Sequence, residues 1–375
     1  MFYTCSPARA AGPMLTAKSS RVSARTATVD IHCHVHTLEA DELVKHVFRP
    51  ETESLAKFAN AATREVNQKQ MQTIRSKLTS VETRLADMDK SGIDIQAISP
   101  APFQYYYWAE PELARQTSRM INDNIAGIVA GNPDRFVGLG TVPLQSPDMA
   151  VAELERMVRE LGLRGVEIST DVGGEELSHE RYRPFFAKAQ ELGILVFMHP
   201  SGYTDGQRLS DHYFINVIGN PLASTVAVSH LIFGGVLDAY PRLKLCVAHS
   251  GGFLPAYSGR MDHAHRARPD CRRLIKKAPT SYLKKLYFDT VVFTDHQLEY
   301  LVQQYGSDHV LLGSDYPYDM AAPDPVRHVM SAGGLSRAEK AAVLGGNAAR
   351  LLRIRLPKAA AAKPSRKSKR TGRSR

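Results

Sequence analysis

The feature that most constrains the fold is a series of eight short apolar segments separated by segments with helical periodicity. Each apolar segment is rich in Val, Ile and Leu and ends near turn residues, which is typical of strands buried on both faces. The intervening segments repeat apolar residues every three or four positions, as amphipathic helices do. The predicted strands are 29–32, 93–100, 136–144, 165–170, 194–200, 243–250, 287–292 and 310–317.

This alternation predicts an α/β fold, a (β/α)8 TIM barrel. An open, doubly wound parallel sheet is the main alternative, but it usually has fewer strands. In addition, no glycine-rich dinucleotide motif follows any of the predicted strands. The barrel is therefore the preferred prediction.

The predicted domain organisation is one barrel over residues 29–357 with two tails. Residues 35–80 are polar and separate the first strand from the next barrel helix, so we expect an inserted lid over the barrel mouth. Residues 1–28 and 358–375 contain basic side chains, no acidic ones and few aromatic ones, so we expect disorder in both. The N-terminal tail also has the Arg, Ser and Ala content of an organellar transit peptide.

Charge and cysteine content limit the partners and the compartment. The 12 basic residues of the two tails exceed the formal charge of +10, so residues 29–357 carry 36 basic and 38 acidic side chains. A nearly neutral body predicts no specific binding of nucleic acid. We find no apolar run of membrane-spanning length and expect no membrane association. Four sparse cysteines indicate a reducing compartment, and we expect a cytoplasmic protein.

The run 28–34, which includes the first predicted strand, carries the pair His32 and His34. Because successive side chains of a strand point to opposite faces, the two imidazoles share one face and Cys33 points away. Such a pair can bind a divalent ion, although it also occurs by chance. Asp30 on this strand is expected to support the site from beneath.

Further candidate ligands close other apolar segments. His199 follows the fifth predicted strand, His249 the sixth and Asp315 the eighth. Active sites of TIM barrels lie at the C-terminal ends of the strands, so these side chains should meet His32 and His34 there. Imidazole and carboxylate ligands suit zinc, and also manganese, iron or cobalt. His249 is a candidate general acid or base, with the alternative that it is itself a ligand.

Several ordered motifs then identify a resemblance. Six stretches resemble motifs of the amidohydrolase superfamily. They are VDIHCH (29–34), YYWAEPE (106–112), FMHP (197–200), the run 232–255, RPDC (268–271) and LLGSDYPYDM (311–320). Within it, the chain is similar to the branch of 2-amino-3-carboxymuconate 6-semialdehyde, resorcylate and carboxyvanillate decarboxylases. The resemblance spans roughly residues 28–353.

This resemblance implies that His32, His34, His199 and Asp315 hold one divalent metal ion, zinc first and manganese second. It also implies that His249 and Asp315 act in catalysis. The implied reaction is a non-oxidative decarboxylation of an aromatic or muconate-type acid, with a small carboxylate as the substrate. The alternative is a hydrolase or hydratase that uses the same metal site on an amide, a lactone or a C–C bond.

Candidate substrate-binding residues are Arg268, Trp108 and Asn216. The resemblance implies that Arg268 reaches the active site of the neighbouring subunit, and therefore that the protein is a homodimer. Trp108 follows the second predicted strand and is a candidate for the pocket wall, with packing under the lid as the alternative. The chain departs from similar enzymes after His199, where it lacks their tryptophans, and none of its lid arginines matches their substrate-binding arginine. The lid arginines are Arg49, Arg64 and Arg75.

Overall fold

The computed structural model describes residues 26–356. Most of the disorder predicted for residues 1–28, and all of that predicted for residues 358–375, therefore lies outside the described residues. Eight parallel strands form one sheet in chain order, which confirms the predicted barrel strands. Their bounds are β1 Val29–Val35, β2 Ile95–Pro100, β3 Phe136–Gly140, β4 Gly165–Ile168, β5 Leu195–Met198, β6 Lys244–Val247, β7 Tyr287–Asp289 and β8 Val310–Leu311.

The sheet closes between its first and last strands. The backbone N–H of Ile31 donates to Leu312 O at 2.8 Å, and Asp315 N–H donates to His32 O at 2.8 Å. Closure leaves no exposed sheet edge and brings the C-terminal ends of all strands around one mouth. The predicted TIM barrel is confirmed.

Helices follow the strands and surround the sheet. A short hairpin, Asp171–Val172 with Glu175–Glu176, lies after β4. The helices are α1 Leu38–Val44, α2 Ser54–Lys57, α3 Ala61–Thr79, α4 Val81–Ser91, α5 Pro111–Gly131, α6 Pro147–Arg159, α7 Arg183–Leu192, α8 Phe214–Val217, α9 Gly219–Phe233, α10 Val236–Ala239, α11 Leu254–Tyr257, α12 Gly259–Ala267, α13 Pro279–Leu283, α14 Asp295–Tyr305, α15 Pro325–Ser331, α16 Arg337–Ala341 and α17 Asn347–Leu352.

Two apolar clusters form the core of the described residues. The larger one lies between the strands and the surrounding helices. The smaller one joins side chains of several strands to Leu351 and Leu352 of α17. Phe197 belongs to this smaller cluster and contacts the His32 ring, with 5.1 Å between the ring centroids. Apolar packing thus supports the metal-ligand candidates from within the barrel.

The segment after β1 lies where the sequence predicts a lid. It contains α1, the 3-10 turn Pro50–Thr52, α2 and α3. It packs on the loop after β5, where a Cβ on Gly202 would lie 2.8 Å from Ser54 Cβ and 3.0 Å from Leu55 N. Gly202 has a φ of +84°, so glycine allows both the backbone conformation and the close approach.

One described helical stretch corrects the finding from the sequence that no apolar run has membrane-spanning length. Phe214–Phe233 is long and apolar enough to cross a membrane by length and composition alone. Half of its apolar window is buried in the structure, and core helices of globular proteins meet the same criterion. Its apolarity is explained by the buried residues of α9, which pack into the protein core.

A candidate metal centre at the barrel mouth

The strands bring all five sequence-predicted polar groups to the barrel mouth. His32 and His34 lie on β1, His199 follows β5 directly, and His249 lies two residues after β6. Asp315 follows β8 and has a left-handed φ of +64°. The imidazole rings of His32, His34 and His199 have centroids 4.9–5.1 Å apart in pairs. The sequence-predicted constellation is therefore assembled at one place.

One carboxylate oxygen lies at the centre of this group. Asp315 Oδ1 is 3.2 Å from His32 Nε2, 3.3 Å from His34 Nε2 and 4.0 Å from His199 Nε2. Ligand atoms around a tetrahedral zinc ion, with bonds of about 2.0–2.2 Å, are separated by about 3.3 Å. The spacing therefore fits ligands that share one ion.

His249 approaches the other oxygen of the same carboxylate. Its Nε2 lies 3.5 Å from Asp315 Oδ2, and its side chain is 15% exposed. Ligand atoms of His32, His199, His249 and Asp315 all lie within 4.8 Å of one another, so distance alone leaves open whether His249 is a ligand.

The hydrogen bonds of His32 and His34 define which ring nitrogen faces the mouth. His32 Nδ1 lies 2.7 Å from Asp289 Oδ2, and His34 Nδ1 lies 2.9 Å from Pro100 O. A backbone carbonyl and a carboxylate only accept hydrogen bonds, so both Nδ1 atoms carry the proton. In a neutral ring each Nε2 then presents its lone pair to the mouth, as a metal ligand requires.

The unsatisfied buried atoms of the mouth test whether a cation fits. His32 Nε2, His34 Nε2, His199 Nε2 and Asp315 Oδ1 are buried and have no hydrogen-bond partner. Burial of polar atoms without partners is costly, and such atoms in native proteins require an explanation. These atoms belong to the four residues that the family resemblance assigns to the metal. A single divalent cation would satisfy all of them, so the residues fit the ion.

The titration behaviour of these groups reflects the same crowding. Burial lowers the pKa of His32, but the carboxylates of Asp315 and Asp289 outweigh it and raise the pKa to about 10. Burial and the neighbouring imidazole of His249 hold the pKa of His199 well below its ordinary value. Although burial opposes ionisation, the surrounding histidines hold the pKa of Asp315 well below its usual range. The mouth thus combines a stable carboxylate with a neutral imidazole.

Asp289 positions two parts of the site. Its Oδ2 accepts the His249 backbone N–H at 2.9 Å, and its Oδ1 accepts the Ser250 N–H at 2.8 Å. His249 and Ser250 have left-handed φ values of +52° and +54°, a strained conformation for residues with side chains. Asp289 therefore holds both the His32 ring and the strained backbone that carries His249.

Asp30 and Cys33 lie where the sequence placed them. Asp30 is fully buried, and it accepts hydrogen bonds from Ser314 Oγ at 2.6 Å and from Gln96 Nε2 at 3.3 Å. It thereby ties β1 to the segment that leads to Asp315. Cys33 is buried with its Sγ 3.3 Å from Ala97 O, away from the cluster.

The sequence analysis missed two buried carboxylates, Asp289 and Glu167. Asp289 ends β7, so the rule that identified His199 at the end of β5 would also have identified it. Glu167 lies within β4, has Oε2 3.7 Å from His34 Nδ1, and accepts a hydrogen bond from Tyr105 at 2.5 Å. The position of Glu167 inside an otherwise apolar strand could have identified it as a candidate functional residue.

A cavity of about 580 Å³ leads to the centre and is lined by residues of the lid and of the barrel. His199, Asp315 and the candidate substrate-binding residue Asn216 form part of its wall. Of the three lid arginines, Arg64 lines the cavity.

Two predicted substrate-binding residues lie outside this cavity. Trp108 is not among its lining residues. It donates its indole N–H to Glu53 Oε1 at 2.5 Å, and Glu53 forms part of the wall. Contact of Trp108 with a substrate stays a prediction. Arg268 is 66% exposed and pairs with Asp270 at 2.8 Å. It is therefore away from the cavity of its own chain.

Comparison with known proteins places this geometry in a family. The model of the amidohydrolase family matches residues 29–354. A relative from Dictyostelium discoideum, named 2-amino-3-carboxymuconate-6-semialdehyde decarboxylase, is 35% identical over 272 residues, which are 72% of this chain and 76% of the relative.

Solved structures give the same picture. The crystal structure of 5-carboxyvanillate decarboxylase from Sphingomonas paucimobilis superposes with a TM-score of 0.79 at 26% identity, covering 88% of this chain and 100% of that chain. The corresponding enzyme from Novosphingobium aromaticivorans, solved with manganese and 4-hydroxy-3-methoxy-5-nitrobenzoic acid, gives a TM-score of 0.77 at 25% identity. It covers 88% of this chain and 96% of that chain.

Proposed function

The chain belongs to the amidohydrolase family, and we propose that it is a metal-dependent, non-oxidative decarboxylase of an aromatic or muconate-type carboxylic acid. The observation that carries this proposal is the set of four buried, unpartnered donor atoms at the inner end of a lidded cavity. Decarboxylases among the similar proteins support the choice of reaction.

In this proposal His32, His34, His199 and Asp315 hold one divalent ion, zinc or alternatively manganese. The ion supplies Lewis-acid stabilisation of negative charge on substrate oxygen atoms when it is bound. The unpartnered state of the four donor atoms supports this ligand set.

The chemistry requires one proton and a place to hold a carboxylate. Decarboxylation breaks the bond between the substrate carbon and its carboxylate, releases carbon dioxide and leaves an electron pair on that carbon, which then takes a proton. His249 is assigned as the group that holds and delivers this proton, since it is only partly buried and lies beside Asp315. Asp289 fixes the backbone from which the imidazole projects.

Substrate recognition is assigned to polar groups of the cavity wall. Arg64 is the lid arginine that lines the cavity, so we assign it to a substrate carboxylate, and Asn216 to a substrate oxygen. The similarity to related decarboxylases suggests Arg268 as a further contact contributed by the partner of a homodimer. Exposed apolar residues near this segment in the sequence support an interface: Phe253, Tyr257 and Leu274.

We place the enzyme in the cytoplasm. Cys33, Cys246 and Cys271 are free, which suits a reducing compartment.

The proposal is tested with metal-reconstituted protein and a panel of carboxylated phenols and ring-cleavage acids, followed for carbon dioxide release. Release from at least one member, abolished by chelation and restored by zinc or manganese, is the expected result. Hydrolysis of esters, lactones or amides without carbon dioxide release from any acid would instead identify a hydrolase with the same ligand set.

A further inference from the structure

Glu53 is a carboxyl in the cavity wall that the proposed chemistry does not use. It lies between the 3-10 turn Pro50–Thr52 and α2, on the lid side of the cavity. Among the described residues, no Lys or Arg forms a salt bridge with it. A carboxyl without a cation, in the wall of a binding cavity, can accept a further hydrogen bond from a bound molecule.

The local packing fixes this carboxyl in one orientation. Trp108 Nε1 donates to Glu53 Oε1 at 2.5 Å, and Trp108 in turn packs against Phe48 with 5.8 Å between the ring centroids. On the opposite side, the lid backbone at Ser54 and Leu55 rests on Gly202. The carboxyl is therefore held by a hydrogen bond to a side chain that is itself packed, which supports a role in specificity.

A second polar group of the cavity wall lies beside it. The buried Ser201 hydroxyl neighbours the Glu53 carboxyl. Glu53 and Ser201 line the same cavity as the proposed metal ligands His199 and Asp315. Glu53 and Ser201 together offer acceptor oxygens to a molecule that occupies the cavity.

Burial raises the pKa of Glu53 to about 7, although Trp108 and Ser201 oppose the shift. Near neutral pH, the carboxyl can therefore accept a hydrogen bond from a hydroxyl or pair with an amino group.

We propose that Glu53 determines substrate specificity by accepting a hydrogen bond from a hydroxyl or amino group on the carboxylated substrate. The selected class is thus carboxylic acids that carry a hydrogen-bond donor on the same ring or unsaturated chain. This inference rests on the proposed function, since it takes a carboxylate as the substrate.

The test measures binding rather than turnover, so that it does not depend on the reaction. Calorimetry on the metal-reconstituted enzyme compares the three isomeric hydroxybenzoates with their methyl ethers, which keep the ring and lose the donor. The aminobenzoates distinguish an amino group from a hydroxyl. We expect at least one donor-bearing ligand to bind about tenfold more tightly than its ether, as for a hydrogen bond to a charged or partly charged group.

Glu53→Gln is expected to reduce this preference to near unity while binding of the ethers changes little. Glu51→Gln is the matched control, because Glu51 is an exposed acid of the adjacent 3-10 turn and does not line the cavity. Circular dichroism and thermal unfolding report whether each variant keeps its fold, because Trp108 emission would respond directly to a change at Glu53. If E53Q lowers the thermal stability, Glu53→Asp retains the charge, shortens the side chain by one methylene and is expected to weaken the same preference.

A preference that survives in both Glu53 variants, or no preference in the unaltered enzyme, would overturn the inference. Carbon dioxide release is measured separately on the same preparations. Turnover without a donor preference refutes only the role of Glu53, whereas a donor preference without carbon dioxide release refutes only the proposed decarboxylation.

Discussion

His32 donates a hydrogen bond from Nδ1 to Asp289 Oδ2 across 2.7 Å, and neither side chain is exposed to solvent. This bond selects the ring tautomer whose Nε2 faces the barrel mouth. Because the same carboxylate accepts the backbone N–H groups of His249 and Ser250, one residue of β7 orients groups from β1 and from the loop after β6. Asp289 is thus predicted to affect metal binding and turnover together.

Asp289→Asn is expected to lower metal affinity by roughly 10–100-fold, since the amide no longer fixes the Nδ1 proton of His32 as a carboxylate does. Competition with a chromophoric chelator measures this change directly. Asp134→Asn, at an exposed acid, provides the control. Unchanged metal affinity in Asp289→Asn would show that His32 is not held for a metal.

His249→Ala is expected to retain about one metal ion per chain and to lose turnover by roughly 10²–10⁴-fold, because it removes the proposed proton donor. Metal analysis and carbon dioxide release on the same sample provide the two measurements. Loss of the ion would instead assign His249 as a ligand, which its proximity to His32, His199 and Asp315 also permits.

Arg64→Ala is expected to raise KM about tenfold with a smaller change in kcat, because a cavity-lining guanidinium contributes to carboxylate binding before and during the reaction. Arg75→Ala is the matched control, since Arg75 is an exposed arginine of the same helix α3 and does not line the cavity. Equal kinetics of the two variants would exclude Arg64 from substrate binding.

Mixing the inactive variants Arg268→Ala and His249→Ala is expected to restore activity if Arg268 acts across a dimer interface. Random exchange of subunits gives about one intact active site in four, since a mixed dimer has one site with both residues. The measurement is carbon dioxide release after dissociation and reassociation of the mixture. No recovery, with mixed dimers demonstrated by differently tagged chains, would contradict action from the partner.

The metal-free protein is expected to lose stability as pH rises from about 7 to about 10. Asp315 and Asp289 outweigh burial and raise the pKa of His32 to about 10, above its ordinary value of 6.5. The folded state therefore binds the extra proton in this range, and its stabilising effect disappears as pH increases through the folded pKa.

A bound ion replaces the extra proton of His32, so the metal-loaded protein should lose less stability between about pH 7 and pH 10. Thermal unfolding of chelated and reconstituted protein at each pH provides the comparison. Parallel pH profiles of the two forms would contradict the assignment of His32 to the metal.

Much of this protein could be predicted from its sequence because it depends on local pattern. Apolar segments of strand length, alternating with helical periodicity, predict all eight barrel strands, and the structure confirms them. The motifs predict the amidohydrolase family, which the family match confirms. The five polar groups at strand ends follow from the rule that parallel strands of a barrel present their C-terminal ends at one mouth. Their roles as ligands and catalyst stay predictions.

Only the tertiary structure decided which groups of different strands meet. The sequence around Trp108 does not indicate that this residue donates a hydrogen bond to Glu53. The sequence also does not distinguish the three lid arginines, whereas the structure shows that Arg64 of α3 lines the cavity. The contacts of Asp289 with His32 and with the loop that carries His249 are seen only in the closed barrel. Sequence periodicity fixes which face a side chain occupies, whereas distances between strands and the path of the inserted lid arise from packing of residues far apart in the chain.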